Sequence, residues 1–133
     1  MGWAIFLIAS FVYLSTIEKT ASLWDCGEFI AAAYKLEVVH EPGAPFFLMM
    51  GRIFSLFASD VNEVAMMVNS MSAIASAFTI LFLFWTITAF GRKIYLKEKS
   101  INKAKIFAVL GAGLVGALAY TFSDSFWFSA VEA

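Results

Sequence analysis

The chain has 133 residues, of which 62% are hydrophobic and only 14% charged, with a net charge of −1. Soluble domains run nearer half apolar and about a quarter charged, so a mean hydropathy of +0.83 points to an all-α integral membrane protein. The lone Cys26 excludes an internal disulfide and a cysteine-built zinc site, and no nucleic-acid partner is expected.

The first predicted span covers about residues 2–18. Its apolar run, 2–17, is short for a ~30 Å hydrocarbon core at ~1.5 Å per residue, so it is expected to continue toward Lys19 or to lack some residues at its start. Met1-Gly2-Trp3-Ala4 lacks a basic leader and Ser15-Thr16-Ile17-Glu18 is a poor cleavage site, which favours a retained span over a removable signal peptide.

A large loop, 19–63, follows. Ser22 stands three residues before Asp25, an N-cap pattern that predicts a helix over about 23–36. That helix puts Leu23, Gly27, Ile30 and Tyr34 on one stripe and Asp25, Glu28 and Ala32 on the opposite one. Two acids three residues apart on one helical face can address a single ligand. Two readings stand on spacing alone. Asp25 is a first-turn acid favoured by the helix dipole while Glu28 pairs with Lys35 or solvent, or the two acids mark a site at the membrane boundary.

His40-Glu41-Pro42-Gly43-Ala44-Pro45 is a corner, because two prolines around a glycine bar a continuous helix. His40 is either a ligand or proton carrier or a hydrogen-bonded structural group. A second loop helix is predicted over about 44–58. It is short, and Arg52 near its middle would cost at least a few kcal/mol inside a bilayer. Phe46, Phe47, Met50, Ile53, Phe54 and Phe57 recur at helical spacing, so this helix is expected to lie in the interface. Arg52 either snorkels to headgroups or meets a lipid phosphate.

The second span is predicted at about 64–90, a run without a charge, and the third at about 106–122, rich in Gly and Ala. Between them, the loop 91–105 carries Arg92, Lys93, Lys97, Lys99, Lys103 and Lys105, opposed only by Glu98. The positive-inside rule makes that loop cytoplasmic. The acid-rich stretch 18–63 then lies outside, as does the segment 123–133, with Asp124 and Glu132 as outer-side acids. The amino terminus is cytoplasmic.

At these residues the chain resembles a known family. Trp24-Asp25-Cys26-Gly27-Glu28-Phe29-Ile30-Ala31-Ala32, Lys35-Leu36, His40-x-Pro42-Gly43-Ala44-Pro45-Phe46, Gly51-Arg52-x-Phe54 and the end Phe122 to Ala133 resemble the bacterial DUF2723 proteins, which are related to the transmembrane protein 260 type of protein O-mannosyltransferase. The family's proteins are much longer, so the chain is expected to be an amino-terminal part, inactive alone. The resemblance implies a GT-C-like architecture: three transmembrane helices and two juxtamembrane helices in the first outer loop. It implies an enzyme that moves a sugar, mannose or a similar hexose, from a polyprenyl-phosphate carrier to Ser or Thr hydroxyls of an acceptor protein. The expected location is the periplasmic face of a bacterial inner membrane. Within it, Asp25 would be the base or the orienter of the acceptor hydroxyl, assisted by Glu28. Trp24, His40, Arg52 and Glu132 would bind substrate. No metal ligands are assigned; a divalent metal held by the two carboxylates stays open.

Two rival classes remain. An ion- or proton-coupled transporter subunit would use Asp25 and Glu28 as ligands, but would place acids inside spans. A non-catalytic assembly protein would tolerate Asp25→Asn.

Overall fold

The computed structural model describes residues 1–22, 24–95 and 102–132. Leu23 of the expected apolar stripe, Lys97, Glu98 and Lys99 of the basic loop, and Ala133 lie outside the described residues. Among the described residues there are six α-helices and no strand: α1 (Gly2–Ser15), α2 (Cys26–Lys35), α3 (Pro45–Ser55), α4 (Val64–Tyr95), α5 (Lys103–Thr121) and α6 (Asp124–Ala130), with a 3₁₀ turn at Val61–Glu63 before α4.

Helix α4 grows from the uncharged run but continues past Phe90. It takes Arg92 and Lys93 into its last turn, where cations suit the carbonyl end of a helix. Helix α5 starts at Lys103, capped by the Asn102 side chain, which accepts from the Ala104 N–H at 3.2 Å. These two helices are long and apolar enough to cross a membrane. Helix α1 is shorter than the expected 2–18. Its 14 residues make about 21 Å at ~1.5 Å per residue. The Ser15 and Thr16 hydroxyls both turn back to the Val12 carbonyl, at 2.9 and 2.8 Å, a local bond that competes with further helix.

The three long elements pack antiparallel in chain order. Trp3 meets Trp85 (6.0 Å between ring centroids) and Phe6 meets Phe78 (4.6 Å), so α1 runs back along α4. Tyr13 donates its hydroxyl to the Thr121 carbonyl of α5 at 3.1 Å. Ile5, Ala9 and Tyr13 share one core with Ala73, Ala77, Ile80, Phe84 and Ala117. The small residues let backbones approach closely. Gly113 of α5 sits so near α4 that a Cβ there would stand 2.6 Å from the Thr88 methyl.

This packing gives the bundle two unlike ends. One end gathers the finish of α1, the start of α4, the finish of α5, and α6. There Trp127 Nε1 donates to Thr16 Oγ1 at 2.9 Å and the Glu18 N–H donates to the Val131 carbonyl at 3.1 Å. Asn69, fully buried, donates from Nδ2 to the Glu18 carbonyl at 2.8 Å and the Thr20 carbonyl at 3.3 Å. Helix α4 begins five residues earlier, at Val64, so it projects about 8 Å beyond that clamp at ~1.5 Å per residue. Helices α2 and α3 dock on this projection: Ile30 packs with Val64 and Val68, and Gly51 lies against Val68 and Ala33. The other end carries Arg92, Lys93, Lys103 and Lys105.

Helix α6 was not expected within 123–133. Ser123 holds the N-cap position and Asp124 the first turn.

Candidate functional site

The site grows from a backbone irregularity. Trp24 has a left-handed conformation, φ 64°, sparsely populated for a bulky residue and unable to continue a right-handed helix. Helix α2 therefore starts at Cys26, with Asp25 rather than Ser22 at the N-cap. The Asp25 carboxylate makes no capping hydrogen bond. The later start and the close approach to Gly51 also change the buried stripe. It is Cys26, Ile30 and Ala33, with Ala32 buried beside them, whereas Tyr34 is exposed. Of the expected pattern, Asp25 and Glu28 stay on the open side and Ala32 does not.

Helix α2 ends at Leu36, again left-handed (φ 56°), and the chain turns back along the helix. Val39 buries against Ala32, Ala33 and Leu48, which brings His40 over the first turn of α2. The corner closes with the Gly43 N–H on the His40 carbonyl at 3.0 Å, and Pro45 opens α3 at its first turn.

Asp25, Glu28 and His40 meet there. The His40 backbone N–H donates to Glu28 Oε1 at 2.9 Å, and His40 Nδ1 lies 2.9 Å from Glu28 Oε2. An ionised carboxylate only accepts, so Nδ1–H is the donor. His40 Nε2 faces Asp25 Oδ2 at 3.9 Å. The bond from the His40 backbone, followed by that from its ring, holds the Glu28 carboxyl below its ordinary value. Glu28 in turn, through its hydrogen bond and its charge, raises the His40 imidazole above its own, with Asp25 adding a smaller push. The Phe29 ring meets the imidazole edge-on at 6.0 Å, and Phe47 meets Phe29 at 5.6 Å.

Beside this cluster lies a cleft of about 350 Å³ lined by Trp24, Asp25, Cys26, Phe29, Ala44 and Phe47. Its walls are aromatic and aliphatic, and Asp25 supplies the carboxylate. Trp24 stands at its rim, 91% exposed. The Cys26 thiol is pushed up by burial first, then by the charges of Glu132 and Asp25. An inert, high-pKa thiol is a poor nucleophile.

Arg52 stands apart. Its Nη1 donates to the Tyr34 carbonyl at 2.7 Å, and its guanidinium lies 5.4 Å from the Tyr34 ring centroid. It thus covers an open carbonyl at the carboxyl end of α2, opposite the end that bears Asp25. Among the described residues no three His, Cys, Asp or Glu side chains converge on a point that would hold a metal ion; the imidazole sits between the two carboxylates. Sequence reasoning thus named Trp24, Asp25, Glu28 and His40, which the fold gathers, Glu132, which follows α6 at the same end of the bundle, and Arg52, which stands apart. It missed Phe29 and Phe47 as cleft walls; their spacing reads as ordinary helix core.

The family model described as the protein O-mannosyl-transferase TMEM260 N-terminal domain matches residues 25–133. The chain is similar to protein O-mannosyl-transferase tmem260 of Dictyostelium discoideum, 26% identical over 96% of this chain and 14% of that protein. It is also similar to protein O-mannosyl-transferase TMEM260 of Mus musculus, 32% identical over 63% of this chain and 12% of that protein. The chain therefore spans only about a seventh of the length of the curated relatives it matches. Both organisms are eukaryotes, so these relatives lend no support to a bacterial inner membrane. No solved structure matches.

Proposed function

This chain belongs to the family of the protein O-mannosyl-transferase TMEM260 N-terminal domain, and from that premise we propose that it is the amino-terminal membrane part of a GT-C type glycosyltransferase. The full-length protein takes mannose or a similar hexose from a polyprenyl-phosphate carrier. It passes the sugar to Ser or Thr hydroxyls of an acceptor protein on the non-cytoplasmic side of the membrane. Helices α1, α4 and α5 cross the bilayer. The end with Arg92, Lys93, Lys103 and Lys105 is cytoplasmic by the positive-inside rule. Exposed Phe46, Met49 and Ile53 of α3 rest in the interfacial layer.

One observation carries the reading. Asp25 offers a carboxylate with no capping bond, on an apolar cleft, at the acid-rich end of a membrane bundle. Sites of this kind combine apolar walls with a few placed polar groups. Asp25 accepts the proton of the acceptor hydroxyl. The acceptor oxygen bonds to the sugar carbon as the bond to the carrier phosphate breaks, and the phosphate leaves with the bonding pair. A positioned base contributes about 10²–10⁴-fold. Asp25→Asn in the full-length protein therefore lowers sugar transfer by about a hundredfold or more, with expression and membrane insertion unchanged. Transfer at the wild-type rate in that variant overturns the assignment.

A further inference from the structure

We infer that Glu28 does not touch substrate but is a positioning residue for His40, and that His40 is the group that works beside Asp25. The inference rests on the reading of Asp25 given above. Both Glu28 oxygens are committed to one residue, Oε1 to the His40 backbone N–H and Oε2 to the ring Nδ1, each at 2.9 Å. A carboxylate engaged twice in this way is a poor partner for an acceptor hydroxyl. The double hold does something else. It fixes the ring's place through the backbone and its rotation through Nδ1, so Nε2 is the ring atom left over. That atom faces the Asp25 carboxylate at 3.9 Å. Phe29 closes the ring's flank edge-on.

The arrangement follows a general logic, in which a carboxylate orients an imidazole and sets its tautomer, and the other nitrogen does the work. With Nδ1–H donated to Glu28, the Nε2 lone pair faces Asp25. The proton leaving the acceptor hydroxyl goes to the Asp25 carboxylate and from there to Nε2. Glu28 then faces the imidazolium that forms and stabilises its charge. The acceptor oxygen keeps its electron pair for the new bond to the sugar, and the carrier phosphate departs with the pair of the broken one. At 3.9 Å the Nε2–Oδ2 pair is longer than a hydrogen bond. It has to tighten to ~2.9 Å for transfer, as catalytic contacts do when substrate is bound. The two acids thus differ in kind: Asp25 reacts, and Glu28 holds the histidine that serves it.

A double-mutant cycle in the full-length protein separates the roles. Transfer of mannose from polyprenyl-phosphate mannose to a Ser/Thr peptide is measured for Glu28→Ala, His40→Ala and the double variant. A Glu28 that acts only through His40 gives non-additive losses: each single variant lowers kcat about tenfold with KM little changed, and the double variant loses about tenfold as well. A double variant down about a hundredfold, the product of the singles, overturns the inference, because Glu28 would then act on its own. A second readout needs no activity. His40 is the single histidine of the 133 residues, so ¹⁵N-histidine NMR of this chain in lipid nanodiscs reports one imidazole. Its titration midpoint should lie above 6.5 and drop toward 6.5 in Glu28→Ala. A midpoint that does not move overturns the pairing. If the wild-type full-length protein transfers no mannose, the functional reading falls and His40's catalytic part with it, while the NMR titration still decides the Glu28–His40 pairing.

Discussion

The bundle of α1, α4 and α5 and the cap of α2 and α3 hold together by different means. The bundle relies on close approach of small residues, with Ala9, Ala73, Ala77 and Ala117 in its core and Gly113 pressed on Phe84 and Thr88. In a bilayer the hydrophobic effect gives helices little reason to associate, so packing and hydrogen bonds must do so. The cap borrows one such contact, Gly51 against Ala33. Beside the apolar contacts of Ile30 with Val64 and Val68 and of Val39 with Leu48, it adds exposed polar ones: Arg52 on the Tyr34 carbonyl and Glu28 on His40. Exposed polar contacts are each weak and adjustable. The Asp25–Glu28–His40 cluster thus lies where contacts are adjustable, outside the close-packed bundle.

The comparison can be broken at each level. Gly113→Val brings the largest loss, because its Cβ already falls 2.6 Å from the Thr88 methyl and overpacking costs about 1–3 kcal/mol or more. Gly111 is the control: a Cβ there meets nothing within 4 Å, so Gly111→Ala is neutral or gains about 0.5–1 kcal/mol of helix preference. Thermal unfolding in detergent measures both, and equal losses would refute the packing account. Next comes Asn69→Ala, which strips a donor from the Glu18 and Thr20 carbonyls and costs about 1–2 kcal/mol. The loss should fall on the segment between α1 and α2, seen as faster amide exchange over residues 18–22 with α4 and α5 unchanged. Uniform acceleration would contradict the division.

The smallest effect is a pH window for the Glu28–His40 contact. Glu28 sits below its ordinary 4.5, so its share of stability is present above that pH and disappears as pH falls through the lowered value. His40 sits above its ordinary 6.5, so its share is complete below 6.5 and is lost as pH rises through the raised value. The corner is tightest between those two ordinary values. Amide protection at His40 and Gly43, with exchange rates corrected for intrinsic base catalysis, should be highest there, and a protection that varies monotonically with pH would exclude the contact.

How much of this was legible in the sequence depended on range. The uncharged run from Val64 and the Gly-rich run before Thr121 announced α4 and α5, because composition alone decides whether a long helix tolerates lipid. Ends were less legible. Arg92 and Lys93 extend α4 since a helix terminus welcomes cations, and the Val12 carbonyl draws the Ser15 and Thr16 hydroxyls and closes α1 early. Helix α6 was hidden by its aromatic content, although Ser123-Asp124 was a readable start. In the site, the pair Asp25 and Glu28 was visible as spacing. Their shared contact with His40 was not, because it depends on a left-handed Trp24 and on a twelve-residue return that lays His40 upon Glu28. No local pattern encodes that return.

On the proposed topology the acid-rich cap and the basic end of the bundle lie on opposite sides of a membrane. Single cysteines at exposed Lys19 and Lys93, each in a Cys26→Ser background of the full-length protein, test it with a membrane-impermeant maleimide on sealed cells. Lys19→Cys is expected to be labelled from outside and Lys93→Cys only after the membrane is opened. Labelling of both from the same side would contradict it.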